Sequence, residues 1–387
     1  MSAAAMLNHA RLIDYFMDLV RIDSLSRREG AIARRLTADL KALGAKVRID
    51  DAGERVGGDT GNVIATIPGT LPGPWLLLSA HMDTVVPGEG VIPVRRSDRI
   101  TSDGRTILGG DDKSGVAIIM EVLRTAAERG VPHGGIEIAF TICEEVGLLG
   151  AKHLATDALR ARDGLVLDSE HASFLFTKGP AADKLEFTVM GLEAHSGICP
   201  ERGISAIQVA SEAIASMRLG RIDDQTTANL GVMRGGAATN IVPKEAVIAG
   251  EARSLDEAKL DAQTAHMRRC FAEAAAKHRV TVDGITHQAR VVERVERDFP
   301  RLDVPDDAPI VRAVFDAAQR VGWSVQTRAT GGGCDANVFN QKGLRIANLG
   351  TGMRAIHTVK EYLLLDEFVR AGEVVMETVR VHAGSRS

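Results

Sequence analysis

At 387 residues the chain exceeds the length at which a single hydrophobic core usually stops growing, so two domains are expected. Its 47 Lys+Arg against 51 Asp+Glu leave a formal net charge of −4, spread without a long basic run, which argues against nucleic acid or an anionic membrane as a partner. Aromatics at 4% within a 45% hydrophobic content suit an aliphatic α/β core, and four cysteines without a C-x-x-C pair argue against a disulfide scaffold or thiolate zinc cluster and fit a reducing compartment.

In chain order, Leu12, Ile13, Phe16, Met17 and Val20 fall at helical spacing among Asp14, Asp18 and Arg21, an amphipathic helix without the apolar centre of a signal peptide. No apolar run is long enough to span a membrane, so a cytoplasmic location is expected. Ser24 to Ser26 reads as a turn, Arg28 to Leu43 as a helix, and Lys46 to Ile49 and Asn62 to Ile67 as strands. Leu76 to Ser79 reads as a buried strand that runs into a turn carrying His81 and Asp83. After a polar stretch, GGDDKSGVAIIMEVL predicts a helix beginning near Lys113, with Asp111 and Asp112 in its first turn, ionised by the helix dipole. Ile136 to Cys143 is a strand followed at once by Glu144 and Glu145, and Leu165 to Leu167 is a short strand followed by Asp168.

Beyond Gly179 the pattern changes. Lys184 to Met190 alternates as a half-exposed antiparallel strand does, and then come a helix (Ser205 to Met217), two strands (Thr226 to Met233, Ala246 to Arg253), a helix (Asp256 to Lys277) and a strand (His287 to Glu293). This β-α-β-β-α-β order is that of an α+β ferredoxin-like unit, expected over residues 180–294 as an insert in a domain made of 1–179 and 295–387. The first style then returns with a helix from Ile310 to Val321, strands at Trp323 to Arg328 and Leu344 to Leu349, His357 in the loop that follows, and a last helix from Leu365 to Val381.

His81, Asp83, Asp111, Asp112, Glu144, Glu145, Asp168 and His357 thus gather at strand ends, which in an open α/β sheet face one crevice. Singly, each reads as readily as a cap, a solvated charge or a surface histidine. Together they offer what a two-zinc hydrolytic site needs: a bridging carboxylate, imidazole and carboxylate ligands for each ion, and a base. Three ligating carboxylates plus a hydroxide would balance two zinc ions, so further acids act as base or support. Cys143 and Cys334 as thiol nucleophiles are a weaker reading. Gly331 to Gly333 lacks the G-x-G-x-x-G or G-K-[ST] context of a phosphate loop.

SAHMDTV, GGDDKSGVA, CEEVGLLGA, LVLDSE and IHTVKEY resemble, in order and spacing, the co-catalytic zinc exopeptidases and amidohydrolases, which include peptidase T, glutamate carboxypeptidase and the acetylornithine and succinyl-diaminopimelate deacylases. GGDDKSG and GGGCDANVFN look most like the peptidase T-like branch, although Cys334 stands where classical peptidase T has a hydroxyl. The resemblance implies a zinc-exopeptidase-like α/β catalytic domain, its mixed sheet flanked by helices, with an inserted lid. It implies two zinc ions, with cobalt or manganese as substitutes: Asp111 bridges, His81 and Asp168 complete one site, and Glu145 and His357 the other. Glu144 would be the general base, Asp83 would orient His81, and the Asp111-Asp112 bond would be cis. His195 would be the lid histidine that polarises the substrate carbonyl, in its own site or a partner subunit's, and Asn240 and Arg253 would touch substrate. Arg253 could instead pair with Glu251 or Asp256. The expected activity is aminopeptidase action on short peptides, with homodimerisation through the lid. The alternatives are a deacylase or carboxypeptidase of N-acyl amino acids and, from another class, a catalytically silent binding homologue.

Overall fold

The computed structural model describes residues 7–384; the stretch 1–6, which leads into the expected amphipathic helix, lies outside them. The chain divides into two compact units, one ending at Gly179 and resuming at Leu302, the other Pro180–Arg301. The return comes later than residue 295 because the strand Arg290–Phe299 carries the second unit past that point.

The first unit is built on a nine-stranded mixed sheet. Its central strands, Gly135–Thr141, Leu76–His81, Asp163–Val166 and Arg345–Leu349, are neighbours in that order and mutually parallel. All six residues of Leu76–His81 are buried, as a strand covered on both faces requires. The strand therefore runs through His81 instead of turning after Ser79. Antiparallel pairs extend the sheet on both sides, through Val63–Pro68 to Lys46–Ile49 and through Phe174–Gly179 to Leu302–Asp303.

The helix Gly110–Arg129 packs on Leu76–His81 and on the helices His9–Val20 and Leu365–His382, and every residue from Gly110 to Leu123 is buried. Its regular turns begin after Asp112, near the expected Lys113, and only the placement of the two preceding carboxylates differs from expectation. Asp111 (φ −82°, ψ 103°) and Asp112 (φ −121°, ψ 33°) are not helical, so the two carboxylates do not lie in a regular first turn; the bond between them is cis, as the family resemblance implies. Three features carry no clear periodicity in the sequence: the short helix Ala52–Val56, a four-stranded sheet of Val94–Arg95, Arg99–Thr101, Met353–Arg354 and Tyr362–Leu364, and the hairpin Arg279–Val282 with Ile285–Gln288 in the second unit.

In the second unit, Thr226–Gly235, Glu245–Ser254, Ala181–Met190 and Arg290–Phe299 form an antiparallel sheet in that order, the ferredoxin-like arrangement. Helices Ala206–Ala215 and Glu257–Lys277 start where Ser205 and Asp256 cap them, at the residues the sequence marks. Leu185, Phe187, Val189, Val209, Ile248 and Phe271 share one core, with the Phe187 and Phe271 rings stacked 4.2 Å apart. No helix among the described residues is long and apolar enough to cross a membrane.

Candidate metal centre

The parallel strands fix where the polar side chains meet. His81 pairs in register with Thr141, and Ser79 with Val166, so the ends of three strands reach one edge of the sheet together. His81 is the last residue of its strand, Glu144 and Glu145 lie just past Thr141, and Asp168 lies just past Val166. His357, at φ 62°, comes from the loop between the strands Met353–Arg354 and Tyr362–Leu364.

Asp111 lies at the centre. Its Oδ1 is 2.9 Å from His81 Nε2, and its Oδ2 is 3.1 Å from His357 Nε2. Asp168 Oδ1 stands 4.0 Å from His81 Nε2, and Glu145 Oε1 is 3.0 Å from His357 Nε2. Two groups of donor atoms result, His81–Asp111–Asp168 and Asp111–Glu145–His357, each with its atoms within 4.8 Å of one another. Asp83 touches His81 chiefly through its backbone: the carbonyl oxygen is 2.9 Å from His81 Nδ1, and the nearer carboxylate oxygen 3.4 Å. The carboxylate itself accepts the backbone N–H groups of Glu144 at 2.9 Å and Glu145 at 3.2 Å.

The charge balance calls for cations. Burial, then its carboxylate neighbours, pushes each of Asp112, Glu144 and Asp168 well above the usual carboxylate range. The Asp112 side chain accepts the backbone N–H groups of His81 at 3.2 Å and Gly115 at 3.1 Å. Burial alone would lower His81, but Asp111 and Asp83 outweigh it and hold the imidazole well above its ordinary value. Asp111 and Glu145 raise His357 to about 10. Crowded, buried carboxylates beside imidazoles, with no thiolate among the donors, fit divalent metal ions.

The description of Peptidase family M20/M25/M40 fits residues 77–381, a span that includes every one of these donors. The chain belongs to this family. Over 375 residues it is 39% identical to an uncharacterized Bacillus subtilis (strain 168) protein, YqjE, covering 97% of this chain and 99% of that one. It resembles the crystal structure of the aminopeptidase PepT of Bacillus cereus ATCC 10987 with a TM-score of 0.88 and 38% identity, over 98% of this chain and 100% of that one. A tripeptidase structure from Staphylococcus aureus subsp. aureus Mu50 gives a TM-score of 0.92 at 35% identity, again over 98% and 100%. This M20 protein is a peptidase T-like, metal-dependent hydrolase.

Other residues of the M20 centre escape a reading by strand ends. Glu361 is buried and accepts the backbone N–H groups of Leu108, Gly109 and Asp111 at 2.8, 2.9 and 3.1 Å. It follows His357 by four residues inside IHTVKEY, so the motif carried the signal. Asn348 pins Asp168 by accepting its N–H at 2.9 Å and donating to its carbonyl at 2.6 Å. Asp335, from the glycine-rich segment, accepts from Thr141 Oγ1 at 2.5 Å. Glu29 has no sequence signal beyond its place at a helix start.

Three of the residues singled out in the sequence lie in the second unit. His195 and Asn240 are neighbours: His195 bridges to Ile241, and Asn240 accepts the backbone N–H of Ser196 at 3.0 Å. Arg253 lies at the far end of Glu245–Ser254, paired with Glu251 through two 2.9 Å contacts. This pairing is one of the two that the sequence offers.

Proposed function

We propose that this M20 protein is a di-zinc aminopeptidase that hydrolyses amide bonds of short peptides. The observation that supports it best is Asp111, whose two oxygens face different imidazoles and so belong to both donor groups. His81 and Asp168 would hold one ion, Glu145 and His357 the other, with Asp111 shared and Asp83 fixing the His81 ring. Zinc, or cobalt or manganese in its place, would act as a Lewis acid toward the scissile carbonyl and make water acidic enough to attack near neutral pH.

Glu144 accepts the proton of the attacking water on a side-chain oxygen and returns it to the leaving amine. A buried carboxyl at the edge of the donor groups is suited to both halves of that transfer. His195 donates to the carbonyl oxygen as charge develops there, in its own chain or in a partner subunit's site, while Asn240 and the Arg253 guanidinium contact the substrate. The unit holding these three residues would act as lid and dimerisation surface. The free cysteines Cys143, Cys199, Cys270 and Cys334 support a cytoplasmic location.

The aminopeptidase and the tripeptidase among the similar structures support the substrate class. A panel of di- and tripeptides with free amino termini set against N-acyl amino acids, each with zinc, cobalt and manganese, tests it. Turnover of only the N-acyl compounds would replace the aminopeptidase by the deacylase or carboxypeptidase reading. Glu144→Ala should keep its metal and lose turnover, and activity within about tenfold of wild type would remove Glu144 as base. A silent binding homologue would have no use for that carboxylate.

A further inference from the structure

Cys143, the residue before the base, is fully buried and sits at φ 52°, in the left-handed region that a residue with a side chain enters only at a cost. Such a conformation persists where neighbours impose it, and here they are two carboxylates. Glu29 Oε1 accepts the Cys143 backbone N–H at 3.0 Å and the Cys143 thiol at 3.4 Å. Asp83 accepts the next two N–H groups, those of Glu144 and Glu145. The turn before the helix Gly30–Ala42 braces both acceptors: Ser26 Oγ donates to Asp83 at 2.7 Å, and the Arg27 N–H donates to Glu29 at 3.0 Å.

We propose that Glu29 is a positioning residue for Glu144: with Asp83 it holds three consecutive backbone N–H groups of Cys143–Glu145 and so sets the direction in which the base leaves the turn. A fully buried carboxylate is expensive, and Glu29 is 0% exposed, with Oε2 lacking a hydrogen-bond partner. A residue that merely filled this space would be apolar. What the carboxylate adds is an acceptor placed to hold Cys143 in its strained conformation. Glu29 touches no substrate atom in this reading and acts only through the turn.

The inference rests on Glu144 being the base, and its test separates the two ideas. Glu29→Gln keeps an acceptor oxygen at the same reach, whereas Glu29→Asp keeps the charge but withdraws it by one methylene. Both are measured as zinc-loaded full-length protein, with kcat, KM, bound metal and Tm determined at a temperature well below unfolding. Glu29→Asp should lose about 10–100-fold in kcat with KM and metal content unchanged, and Glu29→Gln should recover kcat to within about threefold of wild type. A Glu29→Asp kcat within about twofold of wild type, a Glu29→Gln loss as large as that of Glu29→Asp, or a loss confined to KM each overturns the positioning role. Glu144→Ala is run in parallel. If it keeps turnover, the base assignment falls and this inference with it. If it is silent while Glu29→Asp is unimpaired, only the role of Glu29 falls.

Discussion

Glu361 accepts the backbone N–H of Asp111 at 3.1 Å, a contact between residues 250 positions apart. Because the other oxygen of Glu361 holds Leu108 and Gly109, the carboxylate fixes the segment that delivers Asp111 to both donor groups. Burial first, then the Asp111 charge, lifts Glu361 to about 7. Supports of this kind typically change metal affinity by about 10–100-fold. Glu361→Ala should therefore bind zinc that much more weakly in competition with a chelating dye, and an unchanged affinity would show that the loop holds itself.

Asp111→Asn tests whether the two donor groups are one centre. The amide keeps the size of the side chain but has only one acceptor oxygen and no charge, whereas both Asp111 oxygens are in use. Metal analysis of the purified variant should give less than one ion per chain, with peptidase activity at background. A variant that still carried both ions would mean that the groups fill independently of this carboxylate.

His357 gives a pH dependence with a defined sign once metal is stripped. Its folded-state value of about 10 lies above the ordinary 6.5, so the stabilisation from its pairing with Asp111 and Glu145 is complete below about 6.5 and lost as pH rises through 10. The Tm of chelator-treated wild type should fall over that window more steeply than that of His357→Ala, as scanning calorimetry would show. Parallel curves would remove the pairing. Because metal binds the neutral imidazole, zinc addition near neutral pH should also release protons.

Gly164 tests the packing beneath the site. A methyl group there would lie 2.4 Å from the Leu77 carbonyl oxygen and 2.8 Å from Ile346 Cδ1, across two neighbouring central strands. Gly164→Ala should cost about 1–3 kcal/mol and lower the Tm by several degrees in thermal unfolding. A Tm equal to that of wild type would mean that the strands separate freely.

Much of this is legible in the sequence. Continuous apolar runs marked the central strands, the alternation at Leu185, Phe187 and Val189 marked the second unit, and Ser205 and Asp256 marked helix starts, because periodicity and capping are local properties of the chain. At the helix Gly110–Arg129 local preference puts Asp111 and Asp112 in a first turn, whereas their non-helical dihedrals are set by the packed site. Short pairs such as Val94–Arg95 with Arg99–Thr101 are too brief for a period to show.

The sequence by itself determined which residue types stand at which strand ends, and from their order the family could be named and a donor set expected. Only the tertiary structure decided which atoms meet: that Asp111 offers one oxygen to each imidazole, that the Asp83 carboxylate serves the Glu144 turn more closely than the His81 ring, and that Glu29 and Glu361 lie beneath the centre. The physical reason is that a buried carboxylate with backbone N–H partners is set by sheet register and burial across distant segments, whereas in the sequence it is one more acidic residue near a turn.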